Sequence, residues 1–470
     1  MHYHIHTYGC QMNYSDTERI ESYLDRLGFK KAAKEQDANL VIFNSCSIRK
    51  KAEDRVLGKM KNLTKNKRSH QDLLIALTGC MVRKSSTKNS MREIQDKYIK
   101  NNKLLDIAFR IEELPKLKTL IEEASSKKLK TIHDEQLEDY FHISPNYTSK
   151  TQAFIPISTG CDKFCTYCIV PYSRGRETSR NPDEILKEAT ELVQKGCLEI
   201  TLLGQTVDSY GLSPIDRTRK LFDYNKIDAD DQPPPFVQLL KRIDALKEKG
   251  LKRLRFSSPH PKDVSPYLIQ AFAELKTLMP HIHLPIQSGD NSCLQRMNRP
   301  YTRERYLEII NALRKARPDI TITTDFIVGF CGETEEEFQN TLDLYKEVEF
   351  DFCYISQYSN RKGTYADKNL DDDVPQATKA KRWHEFNDLM KEIAHKKLQE
   401  YVGQTVEVLV EEAAGPTAGL STTIYRGKSE HFKTVQFQVA NEAKMKPLKG
   451  TIQHIKITKA ENWILFGDLV

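Results

Sequence analysis

No unbroken apolar run of membrane length occurs in this 470-residue chain, whose mean hydropathy is −0.59. A helical span needs about 20 consecutive apolar residues, so the chain reads as a soluble protein with no membrane partner. The opening Met1-His2-Tyr3-His4-Ile5-His6 lacks the charged-then-apolar layout of a secretory signal, so a cytoplasmic location is expected. Neither sign of charge dominates. The 72 Lys+Arg against 65 Asp+Glu leave +7 and a pI near 8.7. That falls short of the pI above about 9 of a dedicated nucleic-acid-binding domain. No internal repeat is visible.

What is present is length, a core and cysteine. The length suggests about three domains, and 39% hydrophobic residues suffice to bury cores. Ten cysteines without a signal peptide read as reduced thiols, which favours metal binding or catalysis over disulfides. One local charge run stands out: residues 49–68 hold nine Lys/Arg against two acidic residues, either a solvated helix face or a phosphate-contacting patch.

The expected fold class is α/β with three parts. Residues 1–125 alternate strand-like runs (Leu40–Phe43, Leu73–Leu77) with charged helical stretches. Residues 126–150 lie in a polar segment that reads as a linker packing at one point, its aromatic island Tyr140-Phe141-His142. Over 151–385, strand-like runs recur at Phe154–Ile157, Glu199–Leu203, Leu254–Phe256, Ile282–Pro285, Ile320–Val328 and Phe352–Gln357. Helical patterns sit between them (Pro182–Lys195, Val237–Lys247, Arg303–Arg317), so a parallel (βα) barrel, open or closed, is expected with its site at the strands' C-terminal ends. Residues 212–235 look like an inserted surface loop. A basic helix over 376–400 leads to residues 402–470, where Val406–Val410, Val435–Val439 and Ile452–Ile457 alternate as in a small β-barrel.

The sharpest motif is Cys161-x3-Cys165-x2-Cys168, just after the first barrel strand. Three thiolates this close suit three irons of a [4Fe–4S] cube with the fourth left open. Structural zinc wants four ligands in two pairs, and no second pair follows. A second trio is dispersed: Cys10, Cys46 and Cys80, each beside Gly, Ser or Asn after a strand-like run. Parallel neighbouring strands would bring these thiols to one sheet edge; read singly, they are buried small hydrophobes. Cys197, Cys293, Cys331 and Cys353 read as structural.

The motifs Tyr8–Asn13, Gly79–Met81, Cys161–Cys168 with Pro171–Glu177, Leu203–Gln205, Ser257–Pro261, His283–Gly289 and Thr324–Thr334 resemble those of the radical-SAM methylthiotransferases over nearly the whole chain. The likeness is nearest to the MiaB type, which modifies tRNA. The resemblance implies an N-terminal methylthiotransferase domain, a partial TIM-like radical-SAM barrel and a C-terminal OB-like TRAM domain that binds RNA. It implies two [4Fe–4S] clusters and S-adenosyl-L-methionine as cofactors. Cys161, Cys165 and Cys168 would hold the reducing cluster, whose open iron chelates S-adenosylmethionine and yields a 5′-deoxyadenosyl radical. Cys10, Cys46 and Cys80 would hold an auxiliary cluster carrying the sulfur.

The implied substrate is tRNA at the anticodon stem-loop: C2 of N6-isopentenyladenosine at position 37. An electron donor and a sulfur source are further partners, and a monomer is expected. The alternatives are the threonylcarbamoyl adenosine of tRNA, a ribosomal protein, and a non-catalytic zinc RNA-binding protein. Gly9-Cys10-Gln11-Met12-Asn13 speaks against the ribosomal branch, which typically has Pro-Lys after this cysteine. Candidate cofactor contacts are Tyr167, Arg174, Gln205, Ser258, Gln287 and Asp325, with Arg180 as a second arginine for a carboxylate or an RNA phosphate. Arg426, Lys428, His431, Phe432 and Lys433 mix cations and aromatics as RNA platforms do, and as an ordinary basic hairpin does. Cys331 stands where the family usually has proline.

Overall fold

The computed structural model describes residues 1–46, 50–67, 72–82, 105–125, 128–129, 139–219, 232–414, 422–440, 447–461 and 463–470. Its first part is a five-stranded parallel sheet: β1 (His2–Tyr8), β2 (Lys30–Lys31), β3 (Leu40–Ser45), β4 (Leu74–Gly79) and β5 (Ile107–Ala108), in the order β2-β1-β3-β4-β5. All six residues of β3, and of β4, are buried. This follows from continuous apolar runs covered on both faces, as parallel sheets require. The helix Gln11–Arg26 packs on one face through Ile20, Tyr23 and Leu24, and the helix Lys50–Lys67 covers the other through Val56, Met60 and Leu63.

The segment entering the barrel is more than a linker with one anchor. Tyr140, Phe141 and Ile143 pack into the first core, and the Tyr140 hydroxyl donates to buried Asp16 at 2.5 Å. Thr148 donates its backbone N–H to Glu18 at 2.8 Å, and the Tyr147 hydroxyl donates to Glu188. Buried carboxylates on the helix Gln11–Arg26 demand donors, and this strap supplies them.

The barrel comprises β6 (Gln152–Pro156), β9 (Glu199–Leu203), β10 (Arg253–Phe256), β11 (His281–His283), β12 (Thr321–Val328) and β13 (Phe352–Gln357). A short antiparallel pair, β7 (Ser158–Thr159) and β8 (Thr178–Ser179), pinches off the loop between them. The six strands form two parallel three-stranded sheets, joined by a bridge between Leu254 and Leu278. Among the described residues β6 and β13 do not pair, so the barrel is open there. Its helices are capped as their sequences dictate: the Asn181 side chain accepts from Asp183 N–H ahead of Pro182–Gln194, and Thr334 with Glu337 forms a capping box at Glu335–Val348. Part of 212–235 is the helix Pro214–Arg219, and residues 220–231 lie outside the described residues.

The long helix Gln376–Gln399 lies along β13, with Phe386, Met390 and Ile393 in the barrel core, and leads into a closed five-stranded barrel. That barrel is β14 (Thr405–Ala414), β15 (Thr422–Ser429), β16 (Thr434–Ala440), β17 (Ile452–Glu461) and β18 (Ile464–Leu469), in the order β14-β15-β16-β18-β17. Val408, Val435, Phe437, Ile455 and Leu465 fill it. It docks on the floor of the large barrel, where the strands begin. Fully buried Arg253 on β10 donates to the Glu407 carboxylate at 3.0 Å and to the Lys428 carbonyl at 2.9 Å. Arg255 bonds Glu199 at 2.9 Å and the Ser429 carbonyl at 2.9 Å. Among the described residues no helix is long and apolar enough to cross a membrane.

Candidate active site

The first trio sits on the loop between β7 and β8. Gly160 takes a φ of +79°, and a Cβ there would lie 2.1 Å from the Arg176 carbonyl, so only glycine closes this loop. Cys161 and Cys165 are buried and Cys168 half-buried. The Cys161 sulfur lies 3.1 Å from the Thr206 hydroxyl, and Arg299 donates to the Cys165 sulfur at 3.3 Å. Burial pushes the Cys161 thiol up to about 11 despite Thr206. Burial, and then the charges of Cys165 and Cys161, push Cys168 up as well. Cys161 and Cys168, which resist ionising, belong with Cys165 to a donor set that a metal cation would relieve.

The loop stands on a buried ionic scaffold that its sequence does not announce. Asp162 holds Arg176 at 2.6 Å and Arg217 at 3.2 Å, while Lys163 pairs with Asp263, which also takes Lys262 at 3.2 Å. Glu177 accepts from the Ser209 hydroxyl at 2.7 Å. His260 is kept neutral, well below its usual value, by burial and by Arg299, Lys163 and Lys262 nearby.

The second trio lies at the C-terminal edge of the first sheet. Tyr8 pairs with Ser45 and Ser45 with Gly79, so Cys46 and Cys80 leave adjacent strands side by side, and Cys10 follows β1 beside them. Close approach is built in: a Cβ on Gly9 would meet Asn13 Oδ1 at 2.1 Å, and one on Gly79 would meet the Ser45 carbonyl at 2.5 Å. Asn13 Nδ2 donates to Asn44 Oδ1 at 3.0 Å, and Asn44 Nδ2 returns to the Asn13 carbonyl at 2.7 Å, stapling the Cys10 turn to β3. Cys10 is exposed, while Cys46 and Cys80 are buried. A hydrogen bond from Cys46, together with Arg174, pulls the Cys80 thiol down to about 5 despite its burial.

The two trios are linked across the domain junction by Arg174, six residues after Cys168, whose Nε donates to the Cys80 sulfur at 3.5 Å. Among the described residues no three His, Cys, Asp or Glu side chains close tightly enough to seat one metal ion. What the fold places instead is two sets of three thiols, one on the loop between β7 and β8 and one at the C-terminal edge of the first sheet.

The other candidates separate into two groups. At the barrel mouth, Ser258 (φ +58°) and Gln287 (φ +80°) hold left-handed backbones that cost about 1–2 kcal/mol each for residues with a Cβ. Gln205 Oε1, Ser158 Oγ and His260 Nε2 are buried there without a hydrogen-bond partner. Asp325, half-buried, faces His283 Nε2 at 3.3 Å. The ring of Tyr167 meets Phe330 edge-on at 6.2 Å. Of these, Gln205, Ser158 and His260 carry the unpaired buried polar atoms, and Ser258 and Gln287 the strained backbones.

The arginines lie elsewhere. Arg174 is buried at the junction on Asp16 and Cys80, and Arg180 pairs with Glu188 and Glu184. Of the expected RNA platform, four residues are spent on docking the small barrel. Phe432 stacks on His281 at 4.7 Å, with Arg255 and Lys428 over its ring. Lys433 pairs with Asp351 at 2.7 Å and His431 with Asp319 at 3.2 Å. Only Arg426 of the five is exposed, its guanidinium on Gln436 at 2.7 Å. The reason is the hairpin turn at 429–433, which enters the floor of the large barrel and meets its acidic and aromatic residues. The basic stretch 49–68 is the helix Lys50–Lys67, in which Lys59 pairs with Glu35; Arg49 and Arg68 lie outside the described residues. Cys197, Cys293, Cys331 and Cys353 are all buried.

Residues 155–345 match the Radical SAM superfamily, and residues 2–99 match the uncharacterized protein family UPF0004. The tRNA-2-methylthio-N(6)-dimethylallyladenosine synthase of Thermoanaerobacter sp. (strain X514) is 39% identical over 474 residues, covering 100% of this chain and 93% of that protein. The enzyme of the same name from Bacillus subtilis (strain 168) is 38% identical over 470 residues, covering 100% of this chain and 86% of its own length. Among solved structures, the radical S-adenosylmethionine methyltransferase TsrM from Kitasatospora setae, with tryptophan and a SAM analog bound, shares the fold. Its TM-score is 0.53 at 12% identity, over 88% of this chain and 79% of that one. Full-length identity of this order, with a Radical SAM superfamily match over residues 155–345, gives the conclusion that this chain belongs to the tRNA-2-methylthio-N(6)-dimethylallyladenosine synthase family of radical-SAM methylthiotransferases.

Proposed function

We infer that this chain is a radical-SAM tRNA methylthiotransferase that uses S-adenosylmethionine and [4Fe–4S] clusters. Its reaction converts N6-isopentenyladenosine to 2-methylthio-N6-isopentenyladenosine in tRNA, at position 37 beside the anticodon. The observation that carries this reading is a pair of thiol trios bridged by Arg174 beside a radical-SAM barrel, in a chain alike over its full length to enzymes of that name.

Cys161, Cys165 and Cys168 would hold one cluster and Cys10, Cys46 and Cys80 the other. Bound there, clusters with one open iron each supply an electron for splitting S-adenosylmethionine and a seat for the sulfur to be transferred. The chain's own groups do the rest. Ser258 and Gln287, held in strained backbones, and Gln205, with its unpaired carbonyl, offer fixed polar contacts at the strand ends where barrels bind ligands. The Tyr167 ring, backed by Phe330, covers the cofactor side, and Asp325 with His283 offers a polar pair for the base or the cofactor ribose. Arg299, donating to the Cys165 sulfur, and Thr206, hydrogen-bonded to the Cys161 sulfur, hold the cysteine loop and would tune the potential of a cluster bound there.

The base must leave its stack to expose C2, and a splayed loop nucleotide would enter at the strands' C-terminal ends, where barrels bind ligands. An electron donor and a sulfur source complete the reaction, and the chain acts as a cytoplasmic monomer. Its working units are residues 1–125, 151–385 and 402–470, with 126–150 as the strap between the first two.

The decisive experiment offers anticodon stem-loops bearing either isopentenyl or threonylcarbamoyl adenosine to the anaerobically reconstituted enzyme, with nucleoside mass spectrometry as the readout. Methylthiolation of the isopentenyl form alone is expected. Turnover only on the threonylcarbamoyl form, or only on a ribosomal protein, would sink the substrate assignment.

A further inference from the structure

Arg174 caps the short helix Val170–Ser173, six residues after the last cysteine of the barrel trio, yet its side chain serves the other trio. Nε donates to the Cys80 sulfur at 3.5 Å, and Nη2 donates to Asp16 at 2.6 Å. Asp16 is itself fixed by the Tyr140 hydroxyl at 2.5 Å. The guanidinium is therefore clamped along one edge, and only 3% of its side chain is exposed. Its Nη1 is buried and has no hydrogen-bond partner. Leaving a charged donor unsatisfied in the interior costs about 1–3 kcal/mol or more. What sets this one apart from other unpaired arginine nitrogens, such as Arg19 Nη2 and Arg255 Nη1, is its place on the guanidinium that holds the Cys80 sulfur.

The chemistry beside it names a ligand. Two buried thiols and the exposed Cys10 surround this point, and the sulfur to be transferred arrives there as a further anion. A cation with a rigid fork and one spare donor suits a soft, anionic sulfur species better than a lysine point charge would.

We propose that Arg174 is a positioning residue for the incoming sulfur: Asp16 and Cys80 fix its guanidinium, and Nη1 donates to a hydrosulfide or alkylthiolate held at the Cys10/Cys46/Cys80 site. This rests on the assignment of a cluster to that site. It gives Arg174 a task distinct from binding the cofactor carboxylate, because two of its three nitrogens are already committed across the domain junction.

The test uses the full-length chain with Cys161, Cys165 and Cys168 replaced by Ala, so that only the second site can load iron. Into it go Arg174→Lys and, to avoid stranding Asp16, the pair Arg174→Gln/Asp16→Asn. Iron content and the electron paramagnetic resonance signal are followed while methanethiolate, and separately sulfide, is titrated in. The expected result is unchanged iron with thiolate affinity at least tenfold weaker in both variants, the lysine form losing less. Equal affinity at equal iron content would overturn the role of Arg174 and leave the cluster assignment standing. A parent that binds no iron would overturn the cluster assignment and the proposal with it.

Discussion

The two ends of the six-stranded barrel are built on opposite rules. At the floor nearly every charge is spent. Arg253 makes four hydrogen bonds to Glu407 and Lys428, and Gln152 bridges Glu199 at 3.1 Å and Glu411 at 2.9 Å. Lys433 meets Asp351 and His431 meets Asp319, leaving Arg255 Nη1 and His431 Nδ1 as the exceptions among these residues. At the mouth the accounts are left open: Gln205, Ser158 and His260 each bury a polar atom without a partner, and Ser258 and Gln287 hold strained backbones. A fully paired end resists change and stabilises; an unpaired, strained end is poised for a ligand. The small barrel thus acts first as a stopper for the floor. Removing residues 402–470 would uncover Arg253, Arg255 and Glu199 as well as any RNA surface, so truncation alone would mix stability with RNA affinity.

The comparison breaks most readily at Arg253. Replacing this fully buried arginine by Met strips four bonds and leaves Glu407 and two carbonyls without their donor. Removing one partner of a buried pair costs about 3–5 kcal/mol, and the half-exposure of Glu407 puts this case at the lower end. Thermal melting of the iron-free chain should fall accordingly, and Arg253→Met/Glu407→Gln should recover part of the loss. An unchanged melting curve would mean that the small barrel is not held by this network.

Gln287 probes the opposite end. Glycine at φ +80° relieves about 1–2 kcal/mol of left-handed strain, offset by loss of a buried side chain. Gln287→Gly should therefore melt within about 1 kcal/mol of the parent. Its binding of S-adenosylmethionine, measured by equilibrium dialysis on the reconstituted enzyme, should weaken about tenfold, the worth of one hydrogen bond to a charged group. A variant that loses stability and keeps its cofactor affinity would reverse the reading of the mouth.

How much of this was legible in the sequence follows from range. Four of the six barrel strands have the expected start and end to within one residue at both termini, among them Glu199–Leu203 and Phe352–Gln357, because buried parallel strands are apolar runs bounded by turns. β15 and β18 went unread: TTIYRGKS and ILFGDL carry glycine and charge, and only closure of the small barrel makes them strands. The cysteines were legible because chemistry fixed their residue type and, in one trio, their spacing. Arg174 with Asp16 was not, because the partners lie 158 residues apart and no local pattern couples them. The same holds for the hairpin at 429–433, whose cations and aromatics looked like an RNA platform until Phe432 was seen stacked on His281. Composition cannot tell a basic surface facing RNA from one facing an acidic floor.

The smallest expected effect belongs to Cys331, which stands where the family usually has proline. It is 3% exposed and packs in a small cluster with Cys293, Met297, Phe330, Tyr358 and Ala366. The Tyr358 hydroxyl donates to its sulfur, and Arg296 Nε donates to its carbonyl at 3.1 Å. Burial raises the thiol, so it is a poor nucleophile and a packing group. Cys331→Ala removes one sulfur and an acceptor for Tyr358, a loss of about 1 kcal/mol. The disturbance reaches the mouth only through Phe330, which touches both Tyr358 (5.0 Å) and Tyr167 (6.2 Å), and aromatic edge contacts transmit little when a ring can stay in place. Iron content and cofactor affinity should match the parent, while melting shifts slightly. A marked drop in cofactor affinity at unchanged stability would show that this thiol belongs to the mouth and not to the wall behind it.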